Sequence, residues 1–281
     1  MKTILYATDY SKNSVAALNL SYLLAKKFDS MLLVLHVFDT PPSLASSVSI
    51  SHSKKEKELY NDNRAKLKAF CTEHLGDAMQ DVDCHLVVEE NASSWSGILE
   101  KATQTRADLI VVGTTGASQL KELLMGSTTK ALFRKSACAV LAIPANWHSL
   151  NFKTMVYASD FEQADIFALR SLVSMARKFD AQIRVVHIAP INEYKGEQQM
   201  EWFKNMVNQK VQYEKISYDQ LISDSLTGAL NGFLEDSGAD LLAMLERQDK
   251  DPVSKLFHKD TVLKMENRID IPLISYNVGG L

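Results

Sequence analysis

The sequence predicts an α/β protein made of two similar domains in tandem, each a doubly wound parallel sheet flanked by helices. The chain has 281 residues, which is long for one domain and comfortable for two. Short apolar runs alternate with segments of helical periodicity, which is typical of parallel sheets buried on both faces. A segment of the first half also recurs in the second half at a constant offset.

The strands and helices of the first half follow from its apolar pattern. Residues 3–8 form an apolar run that predicts a buried strand, and Ser11 can cap the helix that follows. The pattern then predicts, in order, a buried strand at 31–37, a Pro- and Ser-rich loop at 39–53, a helix at 56–75, an edge strand at 83–88, a helix from the capping Ser94 to Thr105, a strand at 109–112, a helix at 120–134 and a strand at 138–143. In such sheets ligands bind at the carboxyl ends of the strands, where the strand order reverses.

The internal repeat indicates a duplication. Of the 35 positions from 3 to 37, 12 are identical to those 151 residues later, without a gap. The match resumes at residues 107–109 with an offset of 132, so the second copy is shorter in its middle. The sequence therefore predicts one domain at residues 1–146 and another at 152–281. Duplicated domains usually pack around a pseudo-twofold axis that imitates a homodimer, and we expect such an internal pseudo-dimer here.

Composition and charge exclude several classes of function. The formal net charge of -3 gives no reason to expect binding to nucleic acid or to an anionic membrane. No apolar run approaches the roughly 20 residues that cross a bilayer, and the early Asp9 argues against a signal peptide. The three cysteines, Cys71, Cys84 and Cys138, are scattered and form no CxxC pair, so we expect a reducing compartment and a cytoplasmic location.

A glycine pattern follows the fourth predicted strand. It has the form G-x2-G-x9-G-[ST], with Gly113, Gly116, Gly126 and Ser127, and two more hydroxyl residues, Thr128 and Thr129, follow it directly. Glycine lets a phosphate approach backbone N–H groups closely, and a helix that opens after the third glycine would favour an anion at its N-terminus. Each glycine alone is better explained as a turn residue. The joint spacing after a buried strand favours a phosphate site.

Two further kinds of side chain lie at predicted strand ends. Asp9 follows the first strand, where its carboxylate can bond a ribose hydroxyl or approach a phosphate-bound Mg²⁺. The alternative is that Asp9 caps the next helix, and its recurrence as Asp160 does not separate the two roles. His36 and its equivalent His187 are expected to be packed strand residues, because no second ligand lies at metal-binding spacing.

These motifs resemble the universal stress protein family. The resemblance rests on the glycine pattern, on Ala7-Thr8-Asp9-Tyr10-Ser11 after the first strand and on Leu35-His36-Val37 in the second, and it covers residues 1–145. It implies a Rossmann-like, adenine nucleotide α-hydrolase-like sheet of order 3-2-1-4-5. It also implies bound ATP, with AMP or ADP as alternatives, Mg²⁺ held mainly through the phosphates, and dimeric assembly in which the last strands pair.

The resemblance also implies roles for individual residues. Asp9 would lie beside the ribose and phosphates, Val37 would meet adenine through its backbone, and the glycine loop would cradle the phosphates. The candidate nucleotide-binding residues are Ala7, Thr8, Asp9, Val37, Gly113, Thr114, Gly116, Gly126, Ser127, Thr128 and Thr129. No catalytic residue and no protein metal ligand is predicted. We expect a regulatory, stress-response protein with at most slow ATP hydrolysis, since no residue is placed to activate water.

The second copy departs from the motif. Residues 245–261 keep none of the three glycines and contain Glu246, Asp249 and Asp251, whose charges would repel a triphosphate. We therefore expect no tight ATP binding by residues 152–281. Two other functions stay open. A nucleotide-independent interaction scaffold is disfavoured by the intact first motif, and an adenylating enzyme would need a substrate site for which there is no signature. A further homodimer is also left open.

Overall fold

The fold is described by a computed structural model, which covers residues 1–39, 50–114, 126–191, 196–246 and 270–277. The chain forms two compact units, the first built mainly from residues before Asn146 and the second mainly from residues after Trp147. Among the helices that the structure describes, none combines the length and the apolar character needed to cross a bilayer.

The first unit is a parallel sheet with helices between its strands. Its elements are β1 (Thr3–Ala7), α1 (Val15–Phe28), β2 (Met31–Phe38), α2 (Ile50–Leu75), β3 (Cys84–Glu90), α3 (Ser94–Thr105), β4 (Leu109–Thr114), α4 (Ser127–Lys135) and β5 (Ala139–Pro144). The strand order is β3-β2-β1-β4-β5, and β1 pairs in parallel with both β2 and β4. The predicted order 3-2-1-4-5 is therefore confirmed, with β3 at the edge of this unit.

The second unit repeats this architecture. Its elements are β6 (Thr154–Ala158), α5 (Gln163–Phe179), β7 (Gln182–Ala189), α6 (Gly196–Lys210), β8 (Ile216–Ile222), α7 (Leu226–Asp236), β9 (Leu241–Glu246) and β10 (Leu273–Asn277). The order β8-β7-β6-β9-β10 corresponds strand by strand to that of the first unit. The register agrees as well, because Tyr6 pairs with Val111 and its equivalent Tyr157 pairs with Ala243. The structure thus confirms the α/β fold with two Rossmann-like copies.

One repeated aspartate explains part of the sequence match between the copies. In the first unit, Asp108 Oδ2 accepts hydrogen bonds from the backbone N–H of Lys2 (2.5 Å) and of Thr3 (3.0 Å). In the second unit, Asp240 Oδ2 accepts them in the same way from Lys153 (2.7 Å) and Thr154 (2.9 Å). Each carboxylate fixes the amino end of the central strand of its unit. This tie accounts for the Ala-Asp-Leu motif that recurs at an offset of 132.

Several predicted helix ends are wrong. Helix α2 begins at Ile50, six residues before the predicted start, and residues 40–49 of the predicted loop lie outside the described residues. Helix α1 begins at Val15, after a 3₁₀ turn at Lys12–Ser14, and Ser11 makes no side-chain capping bond. The N-cap of α3 is Ser93 instead of Ser94.

The helix predicted at 120–134 is also wrong as one segment. Gly126 has an extended backbone (φ -60°, ψ 155°) and is the N-cap of α4. The helix therefore starts at Ser127, directly after the third glycine of the pattern, and residues 115–125 lie outside the described part of the chain.

Two cysteines of the first unit have thiols that burial makes less reactive. Cys71 on α2 is buried and Cys84 on β3 is half-buried. Burial raises the pKa of the Cys71 thiol to about 12 and that of the Cys84 thiol to about 11. Because the thiolate is the reactive form, we expect neither cysteine to be alkylated by iodoacetamide at pH 8 in the folded protein. Both should react after unfolding in guanidinium chloride, and peptide mass spectrometry measures this. Rapid labelling of either residue in the folded protein would contradict the prediction.

Candidate functional site

The carboxyl ends of three strands lie side by side in the first unit. Ala7 pairs with Leu35 of β2 on one side and with Val112 of β4 on the other. The chain leaves β1 towards β2 and leaves β4 towards β5, so the strand order reverses between β1 and β4. Ligands of doubly wound sheets bind in the crevice at such a switch point. The candidate residues Ala7, Thr8, Asp9, Val37, Gly113 and Thr114 all lie at these strand ends.

Thr8 holds the turn after β1 in place. Its N–H donates to the carbonyl oxygen of Leu35 (2.9 Å), and its Oγ1 accepts a hydrogen bond from the N–H of Tyr10 (3.0 Å). Thr8 Oγ1 also shares a hydrogen bond with Ser14 Oγ (2.9 Å), and both residues are buried. The hydroxyl of Thr8 is thus engaged inside the turn, and its contribution at this strand end is to fix the backbone.

Asp9 is the exposed carboxylate of the turn. Its Oδ1 accepts a hydrogen bond from the N–H of Ser11 (3.0 Å), which closes an Asx turn. Asp9 is not the N-cap of α1, because that helix begins only at Val15. Asp9 therefore does not cap the helix, and its side chain closes only the local turn with Ser11. The exposed carboxylate stays compatible with the role beside a ribose or a phosphate-bound cation.

An aromatic residue links the turn to β2 and α2. Tyr10 has a left-handed backbone (φ 64°), and its ring stacks on His36 with centroids 4.0 Å apart. The Tyr10 hydroxyl donates to the carbonyl oxygen of Asn63 on α2 (3.1 Å). Burial raises the pKa of the Tyr10 hydroxyl, so it stays protonated and able to donate. The sequence did not single out Tyr10, although the aromatic residue recurs as Phe161.

The two strand histidines are packed residues, as predicted. His36 Nδ1 lies 2.8 Å from the carbonyl oxygen of Thr8, and His187 Nδ1 lies 2.8 Å from that of Ser159. A carbonyl only accepts, so Nδ1 carries the proton in each ring. Burial lowers the pKa of His36, and the Thr8 hydrogen bond opposes this shift. Within the described residues, no group of three or more His, Cys, Asp or Glu side chains could hold a metal ion.

Val37 is placed by a glycine that the sequence analysis missed. A β-carbon added at Gly97, in the first turn of α3, would lie 2.8 Å from Val37 Cγ1. The absent side chain lets α3 pass close over the end of β2. A glycine inside a predicted helix was the available signal, because it usually marks a close approach.

Gly113 is needed for packing between β4 and the turn after β1. A β-carbon at Gly113 would lie 2.5 Å from the carbonyl oxygen of Asn13 and 2.8 Å from Cα of Ser14. Next to it, Thr114 is buried, with Oγ1 3.4 Å from the carbonyl oxygen of Ile143. The phosphate role of Gly113 and Thr114 stays a prediction, while the structure supplies a steric reason for the glycine.

The end of the glycine pattern opens α4. Gly126 and Ser127 are exposed, whereas Thr129 is buried in the first turn. Apart from Gly126 itself and its chain neighbours, no described residue has a heavy atom within 4 Å of the place that a β-carbon would take at Gly126. The free N–H groups and the dipole of a helix N-terminus favour an anion there. Gly116 lies outside the described residues, as do Asp249 and Asp251 of the second copy.

The strand order, the switch point beside the central strand and the glycine N-cap of α4 define a Rossmann-like α/β protein. A model of the universal stress protein family matches residues 1–144, more than half of the chain. The chain belongs to the universal stress protein family.

Curated relatives agree with this assignment, and solved structures agree with the fold. The chain is 29% identical to a universal stress protein of Methanocaldococcus jannaschii, over 50% of this chain and 81% of the relative. It is 28% identical to the stress response protein NhaX of Bacillus subtilis, over 50% of this chain and 96% of the relative. The fold resembles a universal stress protein from Archaeoglobus fulgidus (TM-score 0.70, 16% identity, 98% of each chain). It also resembles a functionally unknown protein from Pseudomonas aeruginosa (TM-score 0.66, 11% identity, 99% of this chain and 92% of the other).

Proposed function

We propose that this chain is a stress-response regulatory protein that binds ATP, or alternatively ADP or AMP, in a domain of residues 1–146. Mg²⁺ would be held mainly through the phosphates. The observation that carries the proposal is that, apart from chain neighbours, no described residue lies within 4 Å of the β-carbon position of Gly126 at the N-terminus of α4. A phosphate can reach backbone N–H groups only where no side chain blocks the approach, and a glycine N-cap leaves that path free.

The other candidate residues supply the remaining parts of a nucleotide site. The exposed carboxylate of Asp9 suits a ribose hydroxyl, and the end of β2 at Val37 offers backbone groups to adenine. The hydroxyl of Ser127 adds a donor for phosphate oxygens beside Gly126. These residues would bind and orient the nucleotide. We place no general base among the described residues of the site, so we expect binding with little or no hydrolysis.

Residues 152–281 would form a second domain that binds no ATP tightly. Glu246 ends β9, where the first unit has Thr114, so a carboxylate stands at the strand end that would face a triphosphate. We therefore expect one nucleotide per chain. The internal pseudo-dimer and the cytoplasmic location stay predictions from the sequence, and a further homodimer stays open.

Thermal unfolding of the full chain tests the proposal. Millimolar Mg-ATP should raise the melting temperature, because a ligand at 100 times its Kd stabilises the native state by about 2.7 kcal/mol. For a domain of this size that corresponds to about 5–10 °C. Gly126→Val should abolish the shift and leave the ligand-free melting temperature unchanged, since the new β-carbon would contact no described residue beyond its chain neighbours.

The matched control for this substitution is Gly232→Val. Gly232 lies on α7 of the second unit and likewise has no described heavy atom within 4 Å of its β-carbon position. This variant should keep the full response to Mg-ATP. The absence of any shift in the wild-type chain would favour the scaffold alternative, and an undiminished shift in Gly126→Val would remove the glycine from the site.

A further inference from the structure

The two units differ at one buried position below the turn that follows the central strand. Ser14 in the first unit and Asp165 in the second are equivalent at the offset of 151. Both lie eight residues after the buried tyrosine of that strand, Tyr6 or Tyr157, and both are buried. A hydroxyl in one copy thus corresponds to a carboxylate in the other.

Asp165 is an internal anion surrounded by donors. The residue is 1% exposed. Its Oδ1 accepts a hydrogen bond from the Tyr157 hydroxyl (2.8 Å). Its Oδ2 accepts from the Ser159 hydroxyl (3.0 Å) and from the N–H groups of Asp160 (3.1 Å) and Glu162 (3.0 Å). Two hydroxyls and two backbone N–H groups of this turn are therefore directed at a carboxylate that belongs to the chain itself.

The first unit satisfies the same turn without a buried charge. The Tyr6 hydroxyl donates to the backbone carbonyl oxygen of Ser14 (2.7 Å). The Ser14 hydroxyl donates to the carbonyl oxygen of Ser11 (2.7 Å) and shares a hydrogen bond with Thr8 Oγ1 (2.9 Å). The N–H of Ser11 turns to the exposed Asp9 carboxylate instead. The strand end is thus neutral below its surface.

A second difference lies on the neighbouring strand. Gly113, whose missing side chain lets β4 touch Ser14, corresponds to Leu245 on β9. The equivalence follows from the register, in which Tyr6 pairs with Val111 and Tyr157 with Ala243. The first unit thus combines Ser14 with Gly113, whereas the second combines Asp165 with Leu245. The two copies therefore differ both in the turn after the central strand and on the neighbouring strand.

We propose that the residue at position 14, and its equivalent at 165, determines which unit accepts a nucleotide. The neutral Ser14 leaves the first crevice free of buried negative charge. Asp165 places a carboxylate beneath the equivalent strand end of the second unit and engages the donors of its turn. A phosphate group that approaches this strand end would meet a like charge in a medium of low dielectric constant. This inference rests on the nucleotide site proposed for the first unit.

Transfer of the carboxylate into the first unit tests the inference. Ser14→Asp in the full chain should fold, because Tyr6 and Thr8 can donate to it as Tyr157 and Ser159 donate to Asp165. Isothermal titration with Mg-ATP should then show an affinity lower by about tenfold or more. The loss should be smaller for AMP than for ATP, since the repulsion grows with phosphate charge. Ser14→Asn introduces a side chain of the same size as aspartate but without its charge. This variant should lose at most about threefold in affinity for Mg-ATP.

Each outcome decides the matter. Wild-type affinity in Ser14→Asp, or equal losses in Ser14→Asp and Ser14→Asn, would overturn the inference while the proposed function stands. Unfolding of Ser14→Asp, seen by circular dichroism, would also overturn it, because the inference requires the first unit to accommodate the carboxylate. If the wild-type chain binds neither Mg-ATP nor AMP, the proposed function itself fails.

Discussion

Gly113→Val should destabilise the first unit by about 3 kcal/mol or more, a large part of the stability of an ordinary domain. A β-carbon at this position would lie 2.5 Å from the carbonyl oxygen of Asn13 and 2.8 Å from Cα of Ser14. Both obstacles are backbone atoms, so no side-chain rotation can relieve the contact. Either the turn after β1 or the end of β4 must move, and the hydrogen bonds of the Thr8 hydroxyl to Ser14 and Tyr10 hold that turn in place.

Urea unfolding monitored by circular dichroism measures this loss as a lower midpoint for the first unit. Gly113→Ala should show a smaller loss in the same direction. Gly126→Val is the matched control, because its side chain would meet no described atom within 4 Å, and it should unfold at the wild-type midpoint. A wild-type midpoint for Gly113→Val would contradict the prediction. It would show that the turn can move without lowering the free energy of unfolding, so that the close packing at Gly113 does not stabilise the unit.

The contrast between these two glycines bears on the nucleotide site. Loss of binding in a Gly113 variant would not implicate the phosphate cradle, since distortion of the turn at Asp9 would produce the same result. Gly126 has no such structural role among the described residues, so only its substitution separates phosphate recognition from folding. The glycine pattern that the sequence presents as one motif therefore contains at least two kinds of glycine.

The fold could be predicted from sequence because its strongest signals are local. Five-residue runs such as Thr3–Ala7 are buried throughout, and burial on both faces makes them apolar without alternation. Helix ends were predicted less well. The apolar pattern on both sides of Gly126 predicted one continuous helix. In the structure the backbone of Gly126 is extended, and a helix begins only at Ser127. Periodicity records which face is buried, and it does not record where the chain stops being helical.

The candidate site could be predicted only in part, because some of its contacts join residues that are distant in the sequence. The strand ends at Asp9 and Gly113 follow from the topology alone. The contact of Gly113 with Ser14 joins residues far apart in the sequence, and no local pattern reports it. The contrast between Ser14 and Asp165 was visible in the aligned copies as a hydroxyl opposite a carboxylate. The sequence alone could not explain this contrast. The hydrogen bonds around Asp165 explain it, because they show that the second turn is arranged around a carboxylate.

Asp165→Ala should lower the stability of the second unit by about 4 kcal/mol. Asp165 is 1% exposed, and the substitution would leave two buried hydroxyls and two part-buried backbone N–H groups without this acceptor. Each buried donor without a partner costs about 1–3 kcal/mol, and rearrangement of the hydroxyls recovers part of the sum. The capping box that Asp165 forms with Glu162 at the start of α5 would be lost as well.

The matched control lies at the equivalent position of the other copy. Ser14→Ala removes one hydroxyl and should cost the first unit about 1 kcal/mol. Hydrogen exchange measured by mass spectrometry assigns each loss to its unit, with Asp165→Ala expected to lower protection in Thr154–Ala158 and Gln163–Phe179. Asp165→Asn should fall between the two, because its amide nitrogen cannot accept the hydrogen bonds that a carboxylate oxygen accepts. Equal costs for Asp165→Ala and Ser14→Ala would mean that the donors around Asp165 find other partners. The second turn would then be held by its packing and not by the hydrogen bonds of the buried carboxylate.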